Sequence, residues 1–60
     1  MQANEIRNND KVRRPSGRLA QVRVAFAYTD SATDTEYMLV AYSTGGQDRF
    51  PIDQPVEIRR

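Results

Sequence analysis

From Gln21 to Tyr28 the chain reads Gln-Val-Arg-Val-Ala-Phe-Ala-Tyr. Val22, Val24, Phe26 and Tyr28 fall on one face of an extended chain, and Gln21, Arg23, Ala25 and Ala27 on the other. A period of two in β-branched and aromatic residues predicts a strand with its Val/Phe face inward. Glu36 to Ser43 (EYMLVAYS) predicts a second long strand that is apolar on both faces, with Met38, Val40 and Tyr42 set against Tyr37, Leu39 and Ala41. Shorter strands are predicted at Lys11–Arg14, Asp48–Phe50 and Val56–Arg59. Turn chemistry separates them. Pro15-Ser16-Gly17 makes the first break, the polar run from Thr29 to Thr35 a loop, and Thr44-Gly45-Gly46 a tight hairpin. Pro51 and Pro55 bracket a short turn at Ile52-Asp53-Gln54.

Five short strands in 60 residues, with a long loop after the second, a tight Gly-Gly hairpin and a short turn before the last, describe a small barrel. An open sheet of this size leaves two unpaired edges and one bare apolar face. The expected fold is therefore all-β, a five-stranded SH3-like small barrel over residues 9–60, preceded by a flexible N-terminal tail at residues 1–8. Its interior is expected to hold Val12, Val22, Val24, Phe26, Val40, Phe50, Ile52, Val56 and Ile58. A small open sheet completed by dimerisation is the alternative.

Composition narrows the chemistry. There is no Cys and no His, so disulfides, the familiar zinc spacings and the usual neutral-pH general base are all absent. Ser16 and Ser43 therefore have no triad partner. Asp30, Asp34 and Glu36 lie in one polar loop without the glycine-centred spacing of a calcium loop, and read as a solvated turn. Asp48 lies two residues after Gly46 and Asp53 midway between Pro51 and Pro55, near turns of the kind Asp shapes. No cofactor and no metal are expected. No apolar run is long enough to span a bilayer, and the N-terminus has no apolar signal centre. A cytoplasmic protein without membrane association is the expectation.

Net charge is +1, yet it is unevenly spread: residues 1–25 carry +4 and residues 26–60 carry −3. Lys11, Arg13, Arg14, Arg18 and Arg23 make the N-terminal half basic. A local basic face attracts phosphate even on a near-neutral protein. These five residues are the candidate nucleic-acid-binding set, and Tyr28, Tyr37 or Tyr42 is a candidate stacking surface wherever one faces outward. The competing reading is that charges on half-buried strands simply occupy the wet face. The second apolar face of Glu36–Ser43, with Tyr37 and Leu39, is a candidate interface for self-association as a dimer or tetramer.

The opening Asn9-Asp10-Lys11-Val12-Arg13-Arg14-Pro15-Ser16-Gly17 and the closing Phe50-Pro51-Ile52 with Val56-Glu57-Ile58 resemble the plasmid-encoded type II dihydrofolate reductases. The likeness extends to other small bacterial SH3-like barrels. The resemblance implies an accessory protein of plasmid or phage origin and a fold in which four protomers surround one pore. In that family a Val-Gln-Ile-Tyr segment holds folate and nicotinamide, and a Lys lends charge at the pore mouth. Here the Lys position carries Arg14, and the ligand segment is Gln47-Asp48-Arg49-Phe50. An acid and a cation at the pore lining depart from the family where its ligands bind. The expectation is therefore a non-catalytic interaction module that binds nucleic acid and self-associates. A structural or protein-binding oligomer, or a reductase-like chamber between protomers, stands as the alternative.

Overall fold

The computed structural model describes residues 1–60. Strands β1 (Lys11–Arg13), β2 (Leu19–Asp30), β3 (Thr35–Tyr42), β4 (Gln47–Pro51) and β5 (Ile58–Arg59) form one antiparallel sheet in the order β4-β3-β2-β1-β5. Each of the five expected strands has a counterpart, but the last shrinks from Val56–Arg59 to Ile58–Arg59, and the expected Thr29–Thr35 loop shrinks to a turn at 31–34 because β2 and β3 run into it. Asn9 takes a positive φ of 75° at the lead-in to β1, a conformation that Asn tolerates better than most residues. The β3–β4 turn closes through Gly45 and Gly46, both at positive φ.

The sheet does not close, which corrects the SH3-like barrel and the likeness to the type II reductases built on it. β4 pairs only with β3, and β5 only with β1. The physical reason lies in what occupies the seam. The link between β4 and β5 directs its backbone groups to the N-terminal segment. Ala3 N donates to Gln54 O at 2.9 Å, Asn4 N to Ile52 O at 3.0 Å, and Val56 N to Met1 O at 2.7 Å. Gln2 bridges Pro55. A short 3₁₀ helix (Ala3–Glu5), started by Gln2 N donating to Glu5 Oε2, holds this segment in shape. Ala3 and Ile6 are buried with Val12, Val22, Met38, Val40, Tyr42 and Phe50 in the core. Residues 1–6 thus cover the inner face that closure had been expected to cover.

The core differs from the expected one at two further places. Val22 pairs with Tyr42, but Val24 pairs with Ala41, so Arg23 is an extra residue in β2. Such a β-bulge moves every later side chain to the opposite face. Ala25 and Ala27 then stand across from Val40 and Met38 on the inner face, whereas Val24, Phe26 and Tyr28 stand across from Ala41, Leu39 and Tyr37 on the outer one. Val24 is half-buried and Phe26 is 49% exposed. Ile52, Val56 and Ile58 are also only half-buried; Val56 and Ile58 still pack against the core, whereas Ile52 lies in the link that receives the N-terminal segment.

Candidate functional site

The bulge builds the outer face. Beyond Arg23, β2 contributes Val24, Phe26 and Tyr28, β3 contributes Ala41, Leu39 and Tyr37, and β4 adds Arg49 across from Leu39. The rings form a row: Phe26 and Tyr28 lie 6.5 Å apart between centroids, and Tyr28 and Tyr37 lie 5.9 Å apart. Arg49 ends the row. Its guanidinium carbon sits 4.1 Å above the Tyr37 ring, one nitrogen donates to the Tyr28 hydroxyl at 3.3 Å, and Asp30 lies 3.5 Å away. Stacking and a shared hydrogen bond fix the guanidinium plane, so it extends the aromatic surface.

The five expected nucleic-acid residues divide into two kinds. Arg13 and Arg14 are already engaged. Arg13 grips Glu57 with two nitrogens, at 3.0 and 3.1 Å, and donates a third bond to Gly17 O at 2.7 Å. Arg59 reaches the same carboxylate at 3.0 Å. Hydrogen bonds from these two arginines hold Glu57 below the usual carboxylate range.

Arg14 belongs to an inner polar cluster. Its Nε donates to Asp48 Oδ2 at 2.9 Å, and its guanidinium lies 4.4 Å from the Tyr42 ring centroid. The Tyr42 hydroxyl donates to the same Asp48 oxygen at 2.7 Å. Gly46 makes room, since a Cβ there would meet the Arg14 guanidinium at 3.3 Å. Burial acts to raise Asp48, but the hydrogen bonds from Arg14 and Tyr42 outweigh it and hold the carboxyl below its ordinary value. Burial, reinforced by the bond to Asp48, pushes the Tyr42 phenol up. Tyr42 is thus a core residue with a satisfied hydroxyl, and offers no stacking surface.

Lys11, Arg18 and Arg23 are exposed and have no carboxylate within 4.0 Å. Lys11 lies on the face opposite buried Val12, across from Gln21 and Arg59, and Arg23 protrudes at the bulge. Arg18 lines a cleft of about 390 Å³ between the turns after β1 and β3, with Arg14, Ser16, Gln21, Ser43 and Thr44. Of the five, Lys11, Arg18 and Arg23 are free of carboxylate partners, and Arg13 and Arg14 are engaged.

Tyr37 and Leu39 lie on the outer face as the two-faced pattern of β3 requires, both half-buried, one under Arg49 and the other across from Phe26. Phe26 itself was expected inside, because nothing in the alternation of β2 signals the bulge. The polar loop residues Asp30, Asp34 and Glu36 do not converge as metal ligands. Instead Asp30 accepts the Ala32 N–H at 2.9 Å and faces Arg49. No helix is long and apolar enough to cross a membrane. No protein-family model, curated protein or solved structure matches this chain.

Proposed function

We propose that this protein is a small, non-catalytic nucleic-acid-binding module of the cytoplasm that engages phosphates with the free cations beside β1 and at the start of β2. The observation that carries this reading is the segregation of unpaired charge. Of nine Lys and Arg residues, five are within 4.0 Å of a carboxylate. The four that are not, Arg7, Lys11, Arg18 and Arg23, all belong to the first 23 residues, around β1 and the bulge. Of the four carboxylates that form no ion pair, Asp34 and Glu36 lie at the far tip of the β2–β3 hairpin, Asp53 follows Pro51, the partner of Tyr37 near that tip, and Glu5, which accepts the Gln2 N–H, is the one that lies in the N-terminal segment. A molecule with one cationic end orients a polyanion, which a uniformly mixed surface of the same net charge does not do.

Fluorescence anisotropy of a labelled oligonucleotide, repeated at several salt concentrations, tests this. Three to four phosphate contacts on a single strand give a log–log salt slope of about −2 to −3. A slope near zero, or no binding at about 50 mM salt, counts against the reading.

Self-association through Tyr37 and Leu39 is the second reading, favoured by exposed Phe26 standing across from Leu39. Against it, a face-to-face pair brings Arg23, Arg49 and Lys11 of two copies onto one interface, where like charges repel. Light scattering of Leu39→Lys beside the unaltered protein tests it: a lower mass for the variant supports the contact, and equal monomeric masses remove it.

A further inference from the structure

We infer that the outer face of β2, β3 and β4 is a stacking platform for unpaired bases, so that the ligand is single-stranded nucleic acid rather than duplex. This rests on the nucleic-acid reading above and specifies its ligand.

Three observations converge. First, Phe26 is a large apolar side chain left 49% exposed at the centre of the longest strand. The bulge at Arg23 puts it there, when an unbulged β2 would have turned it inward. Second, Phe26 does not stand alone. It begins a row that continues through Tyr28 and Tyr37 to the guanidinium of Arg49, every member on one face. The rings are tilted to one another, by 53° and 32°, so they do not cover each other's faces as a closed stack would. Third, the outer face that carries the row has an excess of cations, gathered beyond Phe26 toward β1, while the acidic tip with Asp34 and Glu36 lies past Tyr28 and Tyr37. Arg23 and Lys11 are unpaired, Arg49 has Asp30 at 3.5 Å, and Arg13 and Arg59 share the single carboxylate of Glu57.

Aromatic faces bordered by cations match a ligand that carries both flat π surfaces and regularly spaced anions. A nucleic acid has both, but a duplex hides its base faces in the stack and offers only phosphates and groove edges. A single strand exposes them, and each base has a π face, so the recognition tolerates any sequence. The same excess of cations disfavours a second copy of this chain on this face.

The chain contains no Trp, which supplies the probe. In Phe26→Trp the indole is the sole such fluorophore and sits at the head of the row. Oligothymidylate is expected to quench it, whereas dextran sulfate, a polyanion without bases, is expected to bind without quenching. Anisotropy gives the second readout. The unaltered protein is expected to prefer oligothymidylate to a duplex of mixed sequence at equal salt. Phe26→Ala is expected to weaken the single strand about tenfold while leaving duplex affinity and the salt slope unchanged. Phe26 is exposed, so the fold should persist, as circular dichroism of the variant will show. Equal affinity for both forms with no effect of Phe26→Ala overturns the platform but leaves the basic module standing. Failure to bind either form overturns both. A Phe26→Ala protein of lower mass with unchanged affinity shows a contact between copies and also overturns it.

Discussion

Phe26 stands across from Leu39 on the outer face of the sheet, although four residues earlier on the same strand Val22 is wholly buried on the inner one. An even separation along a regular strand keeps two side chains on one face. The exchange of faces between them is due to the single extra residue, Arg23, and it turns the second half of β2 from core into surface. On the inner side Ala25, partly buried against the core, takes the place expected for Val24, while Ala27, across from Met38, is exposed. Met38, Val40, Phe50 and the N-terminal Ala3 and Ile6 fill the core instead.

The N-terminal segment is then part of the fold. Ile6→Ala removes a buried side chain and leaves a cavity at a cost of about 2–5 kcal/mol. A domain of this size has only about 3–9 kcal/mol in total. Thermal unfolding should therefore move down by at least about 10 °C. Deletion of residues 1–6 should expose the seam and leave the chain largely unfolded. An unchanged melting temperature for Ile6→Ala would show that the segment is the flexible tail its polar sequence suggests.

The Arg14–Asp48–Tyr42 cluster should make stability fall at both extremes of pH. Asp48 is held below its ordinary value in the folded state. Its contribution is present above the unfolded value of about 4 and is lost as pH falls through the lower folded value. Tyr42 is raised above its ordinary value. Its contribution is complete below the unfolded value of about 10 and is lost as pH rises toward the folded one. Asp48→Ala leaves the Tyr42 hydroxyl and the Arg14 guanidinium without their acceptor, which costs about 1–3 kcal/mol. The acid loss should shrink in that variant. Denaturant titrations across pH check this, and an acid limb of the same size in Asp48→Ala would assign it elsewhere.

Free and engaged cations should behave differently. Lys11→Gln with Arg23→Gln should make the salt slope shallower by about one to two units and leave the melting temperature nearly unchanged. Arg14→Gln should do the reverse, lowering stability through the loss of Asp48's partner while altering the slope little. If Arg14→Gln flattens the slope as much as the double variant, then Arg14 trades Asp48 for phosphate when ligand binds.

These divisions show what the sequence makes legible. Strands and turns follow from local chemistry: the alternation in β2, the Gly45-Gly46 turn, and Asn9 at positive φ each depend on neighbours in the chain. The bulge does not, because Arg23 suits the outward slot of a regular strand as well as it suits a bulge. The open sheet stood only as the alternative to a barrel for a similar reason. Met1 to Asn8 offers only Ile6 as a branched apolar residue, and its docking depends on backbone bonds to Ile52, Gln54 and Val56 that no local pattern announces. At the site, the basic residues were visible as residues. Which of them were free was not, because Glu57 and Asp48 reach Arg13 and Arg14 from 44 and 34 positions away.

The most direct test is where a ligand touches the protein. Backbone amide and aromatic side-chain resonances, followed as oligothymidylate is added, should move at Lys11, Arg23, Phe26, Tyr28, Tyr37 and Arg49. The core residues Val12 and Tyr42 and the turn residues Ala32 to Asp34 should stay in place. Shifts gathered at the hairpin tip, or spread evenly without the outer aromatic rings, would contradict the account.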